Sequence, residues 1–243
     1  DSWYGSEEAI SVAENVLLYQ RNIGGWPKNT AMQIPLSETD KNKLLQLKTS
    51  TDDVTIDNGA TLLEMIYLSK VYNQTQVEKY KTGFLKGLDY ILEAQYENGG
   101  WPQFYPLRKG YYSHITFNDN ATINVLKLLK EISEKSRKYN FVTDEVVLAR
   151  VEHSLKKGID CILKTQYRQN GVLTVWCAQH DEITLLPAKA RAYELPSLSG
   201  SESAGIVDFL MSLENPSPEI IESIKAAVAW FEKVKIKIGR AHV

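Results

Sequence analysis

Hydrophobic residues recur along this chain at helical spacing, in two kinds of segment that alternate. Segments of the first kind close at a glutamine soon followed by glycine, at Gln20, Gln95 and Gln166. Their apolar residues lie three or four positions apart, as in Leu85, Leu88, Ile91 and Leu92, and again in Ile159, Ile162 and Leu163. Such spacing is typical of one buried helix face, and Gly or Gly-Trp-Pro commonly follows a helix end. We therefore predict that helices end at these three glutamines.

A second helix is predicted after a polar loop in each repeat. The sequences that introduce it are Thr-Ile-Asp-Asn-Gly-Ala-Thr over 55–61, Thr-Phe-Asn-Asp-Asn-Ala-Thr over 116–122 and Ser-Gly-Ser-Glu-Ser-Ala-Gly over 199–205. Apolar residues at helical spacing follow each of them. Strand signals are scarce. Residues 35–53 are predicted to form a polar, Lys-rich surface excursion, and the long loop 170–196 is expected to carry short strands.

The glutamine motif recurs after 75 and then 71 residues. A period of this size indicates a two-helix unit that is repeated, because a single unit cannot bury its apolar face alone. Three copies can close into an α/α toroid, although the period alone does not separate a ring from an open stack. In a ring, the loops before the second helices meet at one end, with Asp57 and Asp119 facing one cavity. The predicted fold is all-α, with about three repeated helix pairs in a single domain over 1–243.

Composition and charge remove several classes of function. With 43% hydrophobic and 24% charged residues, the chain can bury a core and is not expected to be disordered. A net charge of -2 gives no global field, so neither nucleic acid nor an anionic membrane is an expected partner. No run approaches the roughly 18 apolar residues of a membrane span, and a start at Asp1 is typical of a mature or trimmed protein.

The two cysteines, Cys161 and Cys177, show neither CxxC spacing nor a histidine partner at metal-ligand spacing. We expect Cys161 to pack as a small core hydrophobe, and a Cys161–Cys177 disulfide stays open. Trp26 and Trp101 follow equivalent glycines and are expected to pack against helices rather than to stack on a sugar.

Two oxygen-rich clusters, Asp57-Asn58 and Asn118-Asp119-Asn120, occupy equivalent places in two repeats. Hard cations such as Ca²⁺ take carboxylate and amide oxygens as ligands. The same residues are also favoured as helix N-caps, and both clusters stand at predicted helix starts. Capping and metal binding therefore both remain open for these residues.

Two cations, Lys189 and Arg191, stand two positions apart in a segment bounded by prolines. In an extended conformation they project to the same face, where they suit the carboxylates of an anionic polymer. The alternative is an exposed loop whose charges are only solvated. His180 stands beside Asp181, but neighbours in sequence do not face each other in regular structure, so ordinary loop hydrogen bonding is expected for it.

Six segments in chain order resemble polysaccharide lyase family 10, the pectate lyases. They are Gly25-Trp-Pro-Lys-Asn29, Thr55-Ile-Asp-Asn-Gly-Ala-Thr61, Gly99-Gly-Trp-Pro-Gln-Phe-Tyr-Pro106, Thr116-Phe-Asn-Asp-Asn-Ala121, Thr174-Val-Trp-Cys-Ala-Gln-His-Asp181 and Pro187-Ala-Lys-Ala-Arg-Ala-Tyr-Glu-Leu-Pro-Ser197. The resemblance implies an α/α toroid, Ca²⁺ dependence, a polygalacturonate substrate and secretion from a bacterial cell, and a monomer is expected. The tail 236–243 does not resemble the family's continuation, so we expect a C-terminal segment with substrate-binding basic residues to be missing.

The resemblance also implies roles for individual residues. Asp57 matches an active-centre aspartate near metal and substrate, and Asp119 matches the calcium-binding aspartate. Arg191 matches the arginine proposed to remove the C5 proton, while Asn58 and Lys189 match flanking positions that contact substrate.

The implied chemistry is β-elimination, in which the C5 proton leaves and the glycosidic oxygen departs from C4. Ca²⁺ held by Asp57 and Asp119 would stabilise charge that develops on the uronate. Arg191 as the base requires surroundings that favour neutral guanidine, for which nearby Ca²⁺ and Lys189 are expected to help. Lys189 is the chemically easier base.

Three other functions fit part of the pattern. The Gln-Trp motif around 86–101 is similar to that of terpene cyclases, but Ser50-Thr-Asp-Asp53 lacks the first acid of their DxDD motif. An inverting glycoside hydrolase would use Asp57 and Asp119 as acid and base. A non-catalytic helical repeat scaffold would bind no metal and turn over no sugar.

Overall fold

The computed structural model describes residues 2–236. Residues 237–243, where most of the expected departure from the family pattern falls, lie outside the described part, as does Asp1. The α-helices of the described chain are α1 Glu7–Tyr19, α2 Glu38–Gln46, α3 Leu62–Thr75, α4 Glu78–Ala94, α5 Ala121–Ser133, α6 Glu145–Thr165, α7 Gly200–Met211 and α8 Pro218–Val234. Its short strands are β1 Ile115–Thr116, β2 Arg168–Gln169, β3 Val172–Leu173 and β4 Gln179–His180.

The helices form two layers around a continuous hydrophobic core. Helices α3, α5 and α7 make one layer and contact each other in that order, while α1, α4, α6 and α8 make the other and also contact each other in order. Across the layers, α3 packs on α4, α5 on α6 and α7 on α8. This arrangement confirms the all-α toroid of repeated helix pairs. None of the described helices combines the length and apolar character of a membrane span.

The three glutamines end helices as predicted, because α1, α4 and α6 are followed directly by Gln20, Gln95 and Gln166. Each side-chain amide donates two hydrogen bonds to backbone carbonyls. One acceptor lies beyond the following turn and the other on the next helix of the same layer, as for Gln95 to Gly99 O and Ser154 O, both at 2.9 Å. These amides therefore tie consecutive repeats together.

Three buried tryptophans repeat with the glutamines. The indole Nε1 of Trp26, Trp101 and Trp176 donates to a carbonyl in the last turns of α1, α4 and α6, at distances of 2.7, 2.9 and 2.8 Å. All three side chains are fully buried. Packing is thus confirmed for Trp26 and Trp101, and they are unavailable for stacking on a sugar.

Short extended segments join the loops at one end of the toroid. β1 pairs antiparallel with β4, and single bridges link Pro27 to Val54 and Thr55 to Phe104. β2 and β3 form a small hairpin after α6. β3 and β4 confirm the prediction of short strands within 170–196. The strand pairs and single bridges link the loops that carry the site residues.

The fold answers one open question and adds one helix that was not predicted. Cys161 and Cys177 are both free and buried, so the disulfide that the sequence left open is not formed. The excursion 35–53 contains helix α2, whose start is capped by the Ser37 hydroxyl, which accepts from Asp40 N. Leu44 is the only residue of α2 that is buried, and one apolar contact leaves no periodic pattern to detect.

Candidate active site

Two tight turns of the same backbone shape begin the site. The 3-10 turn Asp57–Gly59 precedes α3, and the turn Asn118–Asn120 precedes α5. In each, the middle residue is left-handed, with φ 52° at Asn58 and at Asp119. Asn and Asp tolerate this conformation better than most residues. The turns lie against each other at one end of the toroid.

The capping hypothesis for these clusters is wrong. The N-cap residues of α3 and α5 are Thr61 and Asn120, and neither makes a side-chain capping hydrogen bond. Instead, Thr61 and Thr122 fix the turns, because their hydroxyls donate to Thr55 O and Thr116 O. The acidic side chains are thereby left free of a structural role at the helix ends.

Asp57 is buried, with 6% of its surface exposed. Its carboxylate accepts a hydrogen bond from Lys28 Nζ at 2.5 Å, in an ion pair whose lysine is about one-third exposed at 31%. The neighbouring Asn58 is exposed and donates to Asn29 Oδ1 at 3.0 Å. The Gly-Trp-Pro turn that carries Lys28 and Asn29 thus supplies partners for the first turn.

Asp119 is exposed, in contrast to Asp57. One carboxylate oxygen accepts from Asn118 Nδ2 at 2.7 Å. Close by, β4 carries Gln179, which is 4% exposed and whose Oε1 is buried without a hydrogen-bond partner among the described residues. Asn120 Oδ1 is likewise buried and unpartnered within residues 2–236, but it packs against Gly205 of α7, and Asn120 does not line the cleft described below. An unused amide oxygen in the same cleft as a carboxylate suits a hard divalent cation.

Arg191 lies at a bend that follows β4, and its charge is paired. Its backbone N–H donates to Glu194 Oε2 at 3.0 Å, and its Nε and terminal nitrogen donate to Glu194 Oε1. These hydrogen bonds and the charge of Glu194 raise the pKa of Arg191, and the charge of Asp57 acts in the same direction. The surroundings seen here therefore favour the cation, against the expectation that they favour neutral guanidine.

Lys189 and Arg191 do not share a face. Ala188, Ala190 and Arg191 line the cleft described below, whereas Lys189 is exposed and is absent from that lining. The chain bends at Arg191, where Glu194 N donates to Arg191 O, so the alternation of an extended strand does not hold. The sequence could not show this bend, because neither glycine nor proline stands at it.

A single cleft of about 690 Å³ collects these residues. Asp57, Asn58, Asp119 and Arg191 all line it, together with Lys28, Gln179, Glu194 and Glu202. Its ionisable lining therefore holds four carboxylates, from two Asp and two Glu, against the two cations Lys28 and Arg191. Such a cleft repels a polyanion unless a further positive charge is present.

A second acidic group lies outside this cleft, formed by His114, Asp181 and Glu182, whose ligand atoms lie within 4.8 Å of one another. Glu182 accepts from Ser113 Oγ at 2.8 Å and contacts His114 Nδ1 at 2.9 Å. Asp181 accepts from the backbone of Ile183 and from Thr184. All three hydrogen bonds are accepted by Asp181 Oδ1, and in the cleft the carboxylates of Asp57 and Asp119 likewise each accept a hydrogen bond.

His180 is structural, as expected from the sequence. It is fully buried at 0% exposure, its Nε2 accepts from Cys177 N at 3.3 Å, and its Nδ1 lies 3.0 Å from Leu185 O. Burial lowers the pKa of His180 to about 4. Asp53 is also structural, because it pairs with the buried Arg21. One of the two acids in the motif compared with the cyclases is thus held in an ion pair.

Several residues of the cleft were missed by sequence reasoning, among them Lys28, Gln179, Glu194 and Glu202. Lys28 stood in one of the matched segments but carried no spacing signal of its own, and Gln179 and Glu194 were each one residue among several polar ones in long loops. Gln179 reaches the cleft that Asp119 lines through the pairing of segments distant in sequence, since the pairing of β1 with β4 places Gln179 opposite Thr116.

Known proteins resemble this chain over most of its length. The pectic acid lyase family model matches residues 20–242. The chain is similar to the solved family 10 polysaccharide lyase from Cellvibrio cellulosa, with 43% identity and a TM-score of 0.79 over 91% of this chain and 66% of that chain. It is also similar to a mutant of that lyase in complex with trigalacturonic acid, with 41% identity and a TM-score of 0.80 over 95% of this chain and 69% of that chain. No curated protein matches the chain. The chain thus spans about two thirds of the length of these solved relatives.

Proposed function

The chain belongs to the pectic acid lyase family, polysaccharide lyase family 10, and from this premise we propose that its cleft cleaves polygalacturonate by β-elimination to give 4,5-unsaturated oligogalacturonides. One observation carries the proposal: Asp57, Asp119 and Arg191, from three separate repeats, line the same cleft. A relative that was solved with trigalacturonic acid supports the choice of substrate. We treat residues 1–243 as one catalytic domain.

We propose Ca²⁺ as the cofactor, bound by Asp119 with support from Asp57. The excess of carboxylates over cations in the cleft argues for a bound divalent ion, since the substrate is itself a polyanion. The unpartnered Oε1 of Gln179, a residue that lines the same cleft as Asp119, fits an oxygen-rich site there. When bound, Ca²⁺ would supply electrostatic stabilisation of the charge that develops on the uronate.

We propose that Lys28 binds a carboxylate of the substrate, because its side chain lines the cleft and is partly exposed. Its pairing with Asp57 keeps that cation at the floor of the cleft. Asn58, exposed at the cleft beside Asp57, is assigned a hydrogen bond to substrate. Lys189 remains a proposed substrate contact at the outside of the cleft, where only a longer polymer would meet it.

We assign the removal of the C5 proton to Arg191. The guanidinium must first lose its own proton, and the carboxylate of Glu194 opposes this by stabilising the cation. Turnover at Arg191 therefore requires release from Glu194, an alkaline medium, or both. Lys189 is the alternative base, but its position outside the cleft lining favours Arg191.

A hydrolase that uses Asp57 and Asp119 is less well supported. A hydrolytic acid needs a carboxyl group free to protonate the leaving oxygen, and Lys28 occupies the Asp57 carboxylate at 2.5 Å.

We also propose secretion, since the family is one that acts on an extracellular polymer. We further propose that the protein is a monomer.

The test is an assay on polygalacturonate with and without free calcium. Elimination creates a conjugated double bond that absorbs in the ultraviolet, whereas hydrolysis yields reducing ends without that absorbance. We expect calcium-dependent absorbance from the wild-type chain, no turnover from Arg191→Ala with its fold intact by circular dichroism, and weakened calcium affinity in Asp119→Ala. Reducing ends without absorbance would assign a hydrolase instead. An active Arg191→Ala together with an inactive Lys189→Ala would reverse the roles of the two cations.

A further inference from the structure

Arg108 is a cation held in place by aromatic rings. Its guanidinium carbon lies 5.1 Å from the ring centroid of Phe104 and 4.6 Å from that of Tyr112. The two rings meet edge to face at 5.3 Å, and Phe104 is 4% exposed. Arginine stacks on aromatic faces through its flat, delocalised charge, and this stacking restricts its orientation.

The charge of Arg108 has no partner in the described part of the chain. The residue is exposed, and its guanidinium makes neither an ion pair nor a hydrogen bond within residues 2–236. Three other arginines there are committed to a carboxylate, Arg21 to Asp53, Arg150 to Asp89 and Arg191 to Glu194. The planar fork of donors on Arg108 is thus oriented and available to an incoming carboxylate.

Aromatic contacts connect Arg108 to the cleft. Lys28 Nζ lies 5.7 Å from the centroid of the same Phe104 ring, so one ring serves both cations. On the other side, the rings of Tyr112 and Tyr111 lie with centroids 4.1 Å apart and planes tilted by 34°, and Tyr111 lines the cleft. A polymer that leaves the cleft along this aromatic wall meets Arg108 after Lys28.

We propose that Arg108 forms an additional subsite, which binds a uronate carboxylate of the polymer outside the reaction centre. This inference rests on the proposed function for its substrate. The ligand class is an unesterified uronate unit, because a methyl ester removes the charge that a guanidinium fork recognises. The subsite strengthens binding of long chains and leaves the chemical step unchanged.

The experiment measures binding to immobilised polygalacturonate by affinity electrophoresis in calcium, in an Arg191→Ala background so that the polymer stays intact. We expect Arg108→Gln to weaken binding about fivefold, the upper range for one exposed ion pair. Arg108→Lys should lose less, because it keeps the charge without the fork. Neither variant should change retention on highly methyl-esterified pectin.

The matched control is Arg137→Gln. Arg137 is also exposed, makes no ion pair within residues 2–236 and lacks an aromatic ring beneath it. It follows the C-terminal end of α5, roughly 20 Å along that helix from the cleft. Its loss should leave binding unchanged, which excludes a general effect of net charge.

The outcomes separate this inference from the proposed function. Unchanged affinity of Arg108→Gln for polygalacturonate overturns the subsite, as does an equal loss on both polymers, which would show that Arg108 only shapes its loop. A wild-type chain that binds polygalacturonate through Arg108 but forms no unsaturated product overturns the lyase proposal and leaves the subsite standing.

Discussion

Replacement of Gln166 by leucine tests whether the glutamine amides hold the repeats together. The amide of Gln166 donates to Thr174 O at 2.8 Å and to Ser223 O at 3.0 Å, and so joins the end of α6 to the following hairpin and to α8. Gln166 is 6% exposed, Thr174 5% and Ser223 1%, so water has little access to the carbonyls that would lose their donor.

The cost differs between the two acceptors. Thr174 O would be left without a donor, whereas Ser223 O lies inside α8 and keeps its helical hydrogen bond. A buried polar group left unsatisfied costs roughly 1–3 kcal/mol, so the replacement should destabilise the chain by about 2 kcal/mol. For a chain of this length, each kcal/mol lowers Tm by roughly 2–4 °C, which gives an expected fall of about 4–8 °C. Leucine preserves the apolar part of the side chain, so the change reports mainly on the hydrogen bonds.

Thermal unfolding followed by circular dichroism at the helical band measures the effect. The control is Gln169→Leu, which alters an exposed residue of the hairpin and should shift the free energy of unfolding by less than about 0.5 kcal/mol. If Gln166→Leu melts within about 2 °C of wild type, the amide is replaceable by water and the account of repeat coupling is wrong.

Two further predictions concern charge. Glu194→Gln removes the carboxylate that raises the pKa of Arg191, so the rising limb of the kcat/KM profile, where the base loses its proton, should move to lower pH; an unmoved profile would argue against Arg191 as the base. Burial holds the pKa of His180 at about 4 against about 6.5 when unfolded, so the unfolded chain binds the extra proton and stability falls by roughly 3 kcal/mol as pH drops from 6.5 to 4. His180→Gln should flatten that part of the pH dependence of urea unfolding, and an equally steep dependence in the variant would refute this origin.

The repeated helices were predictable because their signals are local. Gln95 and Trp101 act within a few residues of a helix end, and the apolar period before them is a property of one segment. Helix α2 escaped notice for the same reason, since it buries only Leu44 and is otherwise polar. Local patterns identify elements with a buried face and overlook those without one.

The candidate site was predictable only in part. Asp57, Asp119 and Arg191 were named from matched segments, and the structure brings all three to one cleft. The pairing of Asp57 with Lys28 and of Arg191 with Glu194 could not be read from the sequence, because each depends on a turn or a bend whose geometry is set by tertiary contacts. The orientation of Lys189 was missed for the same reason.

The two turns before α3 and α5 carry their acid and amide in opposite order, Asp57 then Asn58 in one and Asn118 then Asp119 in the other. In each turn the first residue is less exposed than the left-handed one, since Asp57 is buried and Asn118 half-buried whereas Asn58 and Asp119 are exposed. The same turn, used twice, thus places one carboxylate in a buried position and one in an exposed position. The order of acid and amide within the turn thus decides whether the carboxylate is buried and paired with a lysine, as in Asp57, or exposed where a cation can reach it, as in Asp119.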